Sequence, residues 1–374
     1  MGLNEPGPVP GPIDDVEDLG PFDRLGSWAG VLARLMDGES LSSTEAATVM
    51  GEILNGQATP AQIGGLLVAL RVKGESVEEM TGLVRAMVDH AVPLELVGDP
   101  VDLVGTGGDR LHSINVTTLA ACIVAGAGAK VCKHGNRAAS SSVGTADVLE
   151  ALGAVVDLGP EGVLRCVEEA GFGFCFAPRF HAGFRHAAPV RRELGVATVF
   201  NFLGPLAHPG RPVRQVVGVS DPVMAPKMAG VLAANGSRRA MVVFADDGLD
   251  ELSTTGPSTV IELTADGNGR AEIREWRLDP TSLGFPLCGM ADLRGGDAAF
   301  NAAAIHRVLD GARGPHRDIG VLNAAAGLVV AGVAQDLADG VARATDAVDG
   351  GAAAAALEGL VATSTSVASP GREA

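Results

Sequence analysis

Short amphipathic helices are predicted for the first part of the chain. Between residues 23 and 92, apolar residues recur at the three- and four-residue spacing of one helix face. Two capping boxes mark helix starts, Ser42 with Glu45 and Ser76 with Glu79. Helices of this length are only marginally stable alone, so we expect them to pack on the rest of the chain or on a second subunit.

From residue 101 the pattern changes to a repeated unit of apolar strand, small-residue turn and helix. Strands are predicted at VDLV, KVCK, AVVDL, FGFCF, RQVVGVS and RAMVVFA, and later at STVIEL and AEIREWRL. One intervening helix is predicted from His181 to Leu194, and alanine-rich helices follow from about residue 296. This alternation predicts the α/β class: a small N-terminal helical domain and a larger domain with a mostly parallel central sheet flanked by helices.

The two ends of the chain lack these patterns. Residues 1–24 are rich in Pro, Gly and Asp and predict a disordered acidic tail, and residues 363–374 predict a second disordered tail. Between them we expect a helical, dimer-forming domain over 25–95 and an α/β domain over 96–362.

The amino-acid composition indicates which residue types form the core and which classes of partner are excluded. Hydrophobic residues make up 47% of the 374 residues and aromatic residues only 3%, so we expect a core of Ala, Val, Leu and Ile. A formal net charge of −17 argues against a nucleic-acid or anionic membrane surface, whereas a local nest of backbone N–H groups can still bind a small anion. The five cysteines form no CxxC pair, and no apolar run has membrane-spanning length. We expect a soluble cytoplasmic protein with reduced thiols.

The turn GTGGD, from Gly105 to Asp109, follows the first predicted strand. In open α/β sheets, ligands bind beyond the carboxyl ends of strands. The glycines would let backbone N–H groups converge on a phosphate, although a tight strand-to-helix turn explains the same residues. The turn lacks the GxGxxG and GK[ST] patterns of dinucleotide and nucleoside triphosphate sites.

Two further polar segments follow predicted strands or open helices. SINVTT places Ser113, Asn115, Thr117 and Thr118 at a helix start, which favours a phosphate or magnesium site over a simple helix cap. KHGNRAASS brings Lys133 and its neighbours to the next strand end, where cationic and hydroxyl groups suit a phosphate, and a solvated basic turn is the alternative.

Charged pairs occur at two more places. Asp250 and Glu251 follow a strand, and adjacent carboxylates can hold Mg²⁺ together with substrate oxygens, or simply form an acidic surface turn. Arg191 and Arg192 lie on a predicted helix, where one guanidinium facing a cleft could bind a carboxylate. With no activated nucleophile or zinc spacing, the chemistry indicated is displacement aided by positioning and charge neutralisation.

These segments resemble the anthranilate phosphoribosyltransferase family of tryptophan synthesis. The resemblance runs from about Gly26 to Leu360 and rests on DLVGTGGD, KHGNRAASS, ADVLEALG, FCFAPRFH, VRRELG, FNFLGPL, DDGLDELST and VLNAAAGLVVAG in the family's order. It implies the nucleoside phosphorylase–phosphoribosyltransferase fold, a homodimer and dependence on Mg²⁺. The implied reaction is attack of the anthranilate amine on ribose C1 of phosphoribosyl pyrophosphate through an oxocarbenium-like transition state, with pyrophosphate leaving.

Transferred residue by residue, the resemblance implies three sets of contacts and no side chain acting as nucleophile or strong base. Magnesium would be organised by Thr117 with Asp250 and Glu251. Anthranilate would be received by Gly105, Asn136 and Arg191, with Arg191 on its carboxylate. Phosphoribosyl pyrophosphate would contact Gly105, Gly108, Asp109, Ser113, Asn115, Val116, Thr117, Thr118, Lys133, His134, Gly135, Asn136, Arg137, Ala138, Ala139, Ser140, Ser141 and Thr145.

The chain departs from the family pattern at several positions. Arg110 stands where the family has glycine, Thr117 stands where it has serine, and Ser142 and Val143 stand where a serine or lysine-serine usually follows ASS. Phe244 and Ala245 replace His-Gly before the acidic turn, and Ala207 and His208 replace the threonine and asparagine of GPLTNP. These departures leave open a divergent paralogue that uses another aminobenzoate acceptor. Two more hypotheses stay open: a pyrimidine nucleoside phosphorylase, which shares the fold and a similar glycine turn, and a non-catalytic phosphoribosyl pyrophosphate binder.

Overall fold

Four short helices open the described part of the chain. The computed structural model describes Phe22 and residues 25–109, 111–138, 143–266 and 270–369. The helices are α1 Trp28–Met36, α2 Ser43–Leu54, α3 Pro60–Lys73 and α4 Val77–Asp89. Both predicted capping boxes are confirmed, because Ser42 and Ser76 each exchange two hydrogen bonds with the glutamate three residues later. A third box, Thr59 with Gln62, starts α3.

Seven strands of the described chain form one sheet: β1 Val101–Gly105, β2 Val131–Gly135, β3 Phe172–Phe176, β4 Arg214–Gly218, β5 Arg239–Ala245, β6 Ser258–Ala265 and β7 Ala271–Leu278. Their order is β3-β2-β1-β4-β5-β6-β7. The first five in this order pair in parallel, and β6 and β7 extend the sheet antiparallel. The predicted α/β class with a mostly parallel sheet is therefore confirmed.

Helices cover both faces of this sheet. They are α5 Val116–Gly126, α6 Thr145–Ala151, α7 Pro160–Glu169, α8 Ala177–Phe180, α9 Ala188–Leu194, α10 Phe200–Leu206, α11 Ala225–Ala234, α12 Ala298–Leu309, α13 Pro315–Ala331, α14 Leu337–Asp349 and α15 Ala352–Ala368. Alternate strand residues face opposite sides, so Val216 packs with the cluster that contains α5, α13 and α15, and Val217 packs with α1 to α4. The N-terminal helices thus share a core with one face of the sheet.

The segment between β3 and β4 joins the N-terminal helices. Ala187, Val190 and Phe202 from this segment are buried in the same apolar cluster as Leu67 of α3 and Met87 of α4. Helices from two distant parts of the sequence therefore pack together in front of the carboxyl ends of the parallel strands, and they form one wall of the site described below.

Two predicted elements are wrong. AVVDL is a connection between α6 and α7 and forms no strand, because the Val155 N–H donates to Ser364 Oγ at 3.1 Å while Val156 and Leu158 are buried against helices. The predicted helix from His181 to Leu194 is interrupted: a 3₁₀ turn occupies Ala182–His186, and α9 starts only afterwards.

The predicted C-terminal tail begins too early. Helix α15 continues through Ala368, because Ser364 is fully buried and its hydroxyl donates to the carbonyl of Val361. Most of the predicted N-terminal tail lies outside the described residues, but Phe22 packs its ring 5.4 Å from that of Trp28. In the described ranges, no helix is both long and apolar enough to span a bilayer.

Candidate active site

The glycine turn after β1 is packed against the acidic turn after β5. A Cβ on Gly105 would lie 2.7 Å from Asp250 Oδ2, and one on Gly218 of β4 would lie 1.6 Å from the Asp250 carbonyl oxygen. Gly107 has a φ of +66° and donates its N–H to Asp250 Oδ2 at 2.6 Å. Glycine is therefore required here because the acidic turn comes so close to the backbone, a constraint in addition to any approach of a ligand.

Three carboxyl groups lie together between these turns. Burial, and then the charge of Asp250, raise the pKa of Asp109 to about 6. The same two causes raise the pKa of Glu251 well above its usual value, with Lys133 acting in the opposite direction. Asp250 and Glu251 are only 6% and 9% exposed. Because like charges are close together where water is largely excluded, a cation would relieve their repulsion. Among the described residues, however, no three acidic, histidine or cysteine side chains form a complete set of metal ligands, so a bound cation would need ligands from the substrate as well.

Lys133 is more deeply buried than the sequence predicts. Its side chain, at the end of β2, is 1% exposed, and Nζ donates to the carbonyl of Leu103 and, at 3.0 Å, to Thr117 Oγ1. Burial lowers the pKa of the ammonium, and the charges of Asp102 and Glu251 oppose that shift. Lys133 therefore reaches the cleft partly through the hydroxyl of Thr117, at the start of α5.

The polar residues at the start of α5 divide into two groups. Ser113, Asn115, Val116 and Thr117 line the cleft beside the glycine turn. Thr118 is fully buried, and Oγ1 has no hydrogen-bond partner among the described residues. Neither Thr118 nor the exposed Gly108 lines the cleft.

The segment after β2 forms the opposite side of the cleft. Gly135, Asn136, Ala138 and Thr145 line it. Arg137 also borders the cleft, but its guanidinium pairs with Asp147 at 2.8 Å and Glu150 at 2.7 Å. The predicted cationic contribution of Arg137 is thus directed to α6. Of the other predicted contacts, Ala139, Ser140 and Ser141 lie outside the described residues.

A buried network of polar side chains makes hydrogen bonds to the backbone of β2. Asp102 of β1 is fully buried and accepts the His134 N–H at 3.0 Å and the Gln215 amide at 3.3 Å. His208 accepts the Gly210 N–H at Nδ1, so Nε2 carries the proton and donates to the Cys132 carbonyl at 3.0 Å. The departure at His208 therefore has a structural role in this chain. Sequence reasoning missed Asp102 and Gln215, because a polar residue within an apolar strand was the only signal.

His134 lies between the cleft and a second pocket. It is 4% exposed, its Nε2 has no hydrogen-bond partner among the described residues, and it lines both cavities. Burial, followed by the neighbouring imidazoles of His208 and His181, lowers the pKa of His134 well below its usual value. A neutral ring with an unpaired buried nitrogen therefore faces the junction of the two cavities.

The second pocket, of about 370 Å³, is mainly apolar and contains an unpaired arginine. Phe184, Phe200 and Pro178 contribute its apolar surface. The guanidinium of Arg191, on α9, lies 5.4 Å from the centre of the Phe200 ring, and no described carboxylate is within ion-pair distance of it. Burial lowers the pKa of Arg191. A flat ligand bearing a carboxylate is the chemical match for such a pocket.

A cavity of about 420 Å³ lies elsewhere, between α4 and α11. Its cations already have partners, since Arg85 donates to Asn235 and the Ala234 carbonyl, and Arg211 pairs with Asp89. The two adjoining cavities at the strand ends, with a carboxyl cluster in one and an unpaired guanidinium in the other, are therefore the stronger candidate site.

Comparison with known proteins identifies the family. The α/β domain of the glycosyl transferase family matches residues 98–354, and its helical bundle domain matches residues 29–91. The anthranilate phosphoribosyltransferase of Salinispora arenicola is 53% identical over 340 residues, which cover 88% of this chain and 95% of the relative.

Solved structures give the same result. The anthranilate phosphoribosyltransferase of Thermus thermophilus is 42% identical with a TM-score of 0.83, covering 89% of this chain and 99% of that one. The Saccharomyces cerevisiae enzyme, solved with phosphoribosyl pyrophosphate and Mg, is 28% identical with a TM-score of 0.82 over 91% and 98% of the two chains. It was also solved with 4-fluoroanthranilate, at 27% identity and a TM-score of 0.80 over 91% and 99%. The chain belongs to the anthranilate phosphoribosyltransferase family.

Proposed function

We propose that this chain transfers the phosphoribosyl group of phosphoribosyl pyrophosphate to the amine of anthranilate, giving N-(5-phosphoribosyl)anthranilate and pyrophosphate. The observation that carries the proposal is the pair of adjoining cavities that share His134 and Asn136. One offers hydroxyl, amide and carboxyl groups to a polyphosphate with its cation, and the other offers an arginine and aromatic rings to a benzoate.

The carboxyl cluster fits Mg²⁺. This ion is bound in proteins through few carboxylates together with substrate oxygens. Burial, and after it the charge of Asp250, raises the pKa values of Asp109 and Glu251, so a cation beside these groups would favour their ionised forms. Thr117, Asp250 and Glu251 are the residues that we propose to hold it. When bound, the ion would neutralise the negative charge that develops on the leaving pyrophosphate.

The chain's own groups position the donor. Ser113, Asn115 and Thr117 line the cleft with hydroxyl and amide groups at the start of α5, and Lys133 polarises the Thr117 hydroxyl through its 3.0 Å hydrogen bond. Gly105 and Thr145 border the same cleft from β1 and α6. Their role is to hold ribose C1 facing the acceptor pocket, since positioning of reactants supplies much of the acceleration in such displacements.

The acceptor pocket orients anthranilate by its carboxylate. We propose that Arg191 binds this group, while Asn136 and Gly105 lie where the ring and amine meet the donor. An aromatic amine is largely neutral near pH 7, so the nitrogen attacks without prior loss of a proton to a strong base. The neutral imidazole of His134 lies at the junction between the cavities as a hydrogen-bonding group.

The assembly and location of the chain are also proposals. Membership of the family supports a homodimer in the cytoplasm, with phosphoribosyl pyrophosphate and anthranilate as its ligands and with neither nucleic acid nor membrane as a partner. The formal net charge of −17 agrees with the last point, because polyanions repel such a surface.

The proposed reaction is tested by following anthranilate fluorescence in the presence of the protein, phosphoribosyl pyrophosphate and Mg²⁺. Loss of fluorescence that requires both the donor and the metal is the expected result. Thymidine phosphorolysis without any loss of anthranilate would overturn the proposal in favour of a nucleoside phosphorylase. A panel of other aminobenzoates separates anthranilate from a related acceptor, and donor binding without turnover of any of them would identify a non-catalytic binder.

A further inference from the structure

A distant segment of the chain covers the start of α5. The residues before α12 form an antiparallel bridge with the loop of residues 111–115 that leads into α5, in which Ser113 pairs with Arg294. The Ile114 N–H donates to the Leu293 carbonyl at 3.0 Å, and the Gly295 N–H donates to the His112 carbonyl at 2.7 Å. The loop that carries Ser113 and Asn115 is therefore held in place by residues far later in the chain.

Asn301, in the first turn of α12, is the polar side chain at this contact. It is 2% exposed and lines the cleft beside the glycine turn, where the phosphoribosyl donor is proposed to bind. Its Oδ1 accepts the Gly296 N–H at 2.8 Å, and its Nδ2 donates to Asn115 Oδ1 at 2.9 Å. A backbone N–H can only donate, so the Gly296 bond fixes which end of the Asn301 amide is oxygen.

Asn115 is the N-cap residue of α5, yet its side chain makes no capping hydrogen bond. Asn residues at this position usually accept a hydrogen bond from the first turn of the helix. Here the side-chain oxygen accepts from Asn301 instead. Because the oxygen is committed to Asn301, the NH₂ group is the end of the amide left for the cleft.

We infer that Asn301 is a positioning residue that fixes the Asn115 amide with its NH₂ group toward the anionic groups of the phosphoribosyl donor. The Gly296 N–H fixes the orientation of the Asn301 amide, and the Asn301 amide in turn fixes the orientation of the Asn115 amide. The cleft therefore receives a hydrogen-bond donor at a place where an oxygen would repel phosphate. This inference rests on the proposed function, because it assigns the donor as the anion that Asn115 contacts.

The substitution Asn301→Asp changes the shape of the side chain little, but it replaces the NH₂ group that donates to Asn115 with an oxygen. A carboxylate still accepts the Gly296 N–H, but its second oxygen faces Asn115 Oδ1 and favours rotation of that amide. Asn115 then presents its oxygen to the donor. We expect the Kd and KM for phosphoribosyl pyrophosphate to rise at least about tenfold, with the anthranilate KM changed by less than about twofold, as for a lost hydrogen bond to a charged group.

The substitution Asn301→Ala distinguishes this role from a structural one. It removes both hydrogen bonds of the Asn301 amide but still allows the Asn115 NH₂ group to point into the cleft. We therefore expect a smaller loss of affinity for phosphoribosyl pyrophosphate than with Asp. A purely structural role predicts the opposite order, because Asp matches Asn in shape and keeps the Gly296 bond whereas Ala opens a gap. In an Asn115→Ala background, Asn301→Asp should have little further effect on donor affinity.

Isothermal titration with phosphoribosyl pyrophosphate and Mg²⁺, without anthranilate, provides the binding readout, and thermal unfolding checks that each variant folds. The control is Asn235→Asp, an exposed residue remote from the cleft that keeps its bond from Arg85. A larger loss with Ala than with Asp, or additive effects of Asn115→Ala and Asn301→Asp, would overturn the inference alone. Failure of the unmodified protein to bind the donor would instead overturn the proposed function.

Discussion

Arg191 is the residue whose role follows most directly from its surroundings. Its guanidinium is half-buried beside Phe200, without a described carboxylate partner, so binding of a benzoate would complete an ion pair in a partly dehydrated pocket. Arg191→Ala should raise the anthranilate KM by about 10- to 100-fold, the equivalent of about 1.5–3 kcal/mol for a charged hydrogen-bond pair. Steady-state kinetics with each substrate varied in turn provide the measurement.

Arg192 is the matched control for this prediction. It adjoins Arg191 on α9 but is exposed and does not line the acceptor pocket, so Arg192→Ala should leave the anthranilate KM unchanged. If Arg191→Ala raised only the donor KM, the assignment of the acceptor carboxylate to Arg191 would be wrong.

At the scale of elements, the acidic turn depends on glycine in the neighbouring strand. A Cβ at position 218 would lie 1.6 Å from the Asp250 carbonyl oxygen, a backbone atom that cannot rotate away. Gly218→Ala should therefore displace Asp250 and Glu251, lower kcat strongly, and cost about 1–3 kcal/mol of stability, as overpacking does. Kinetics at several Mg²⁺ concentrations and thermal unfolding measure both effects.

Gly256→Ala is the corresponding control. Gly256 follows the same acidic turn, but a Cβ there would meet no described atom within 4 Å, and its backbone is not left-handed. We therefore expect this variant to keep normal kinetics and stability. Wild-type kinetics in Gly218→Ala would show that the acidic turn is not positioned by this contact.

The sheet and its turns could be predicted because they depend on local periodicity. Apolar runs followed by GTGGD and KHGNR identify parallel strands and the edge at which their ligands bind. AVVDL has the same apolar character, but Val155 bonds to Ser364 of α15 and the segment receives no strand partner. Whether such a segment enters the sheet depends on long-range contacts, which local periodicity does not contain.

Side-chain direction at the site could not be predicted for the same reason. Lys133 turns to the Leu103 carbonyl and Thr117, and Arg137 turns to Asp147, although both are cations in the predicted phosphate segment. Asn301 was missed because its partner lies 186 positions earlier. The sequence did contain one signal, because Asn301 lies one turn before Ile305 and two turns before Val308 in an alanine-rich helix. This spacing places the asparagine on the apolar, buried face of that helix.

For the whole molecule, stability should depend on pH through buried imidazoles. His181 Nε2 donates to the Ala207 carbonyl at 2.8 Å, and burial lowers the pKa of this imidazole to about 4. The unfolded chain binds the proton near pH 6.5, so it takes up more protons than the folded chain between pH 6.5 and 4. The contribution of His181 to the free energy of unfolding is therefore fully present above pH 6.5 and is lost as the pH falls toward 4. For this one group the loss amounts to about 3 kcal/mol.

Denaturant unfolding between pH 4 and 7 tests this prediction. His181→Gln should make the free energy of unfolding less dependent on pH. Part of the pH dependence should remain, because burial also lowers the pKa values of His134 and His208. His306→Gln, at an exposed position, is the control. An unchanged slope in His181→Gln would show that this imidazole is not held neutral.

The proposed homodimer has a candidate surface on the N-terminal helices. Met36 on α1 is 79% exposed, and Val68 and Val72, one turn apart on α3, are 43% and 83% exposed. Burying these side chains against a second copy would remove apolar surface from water. Val72→Glu should therefore shift the protein toward monomer in sedimentation velocity, while Ile273→Glu, exposed on β7, should not. A monomeric unmodified protein would contradict the proposed assembly.

The donor and the acceptor are proposed to occupy the two cavities that meet at His134. A crystal structure with phosphoribosyl pyrophosphate, Mg²⁺ and 4-fluoroanthranilate tests it most directly. We expect the diphosphate beside Ser113 and Thr117, the metal at Asp250 and Glu251, and the benzoate carboxylate on Arg191. A diphosphate bound in the cavity between α4 and α11, or a benzoate remote from Arg191, would contradict it.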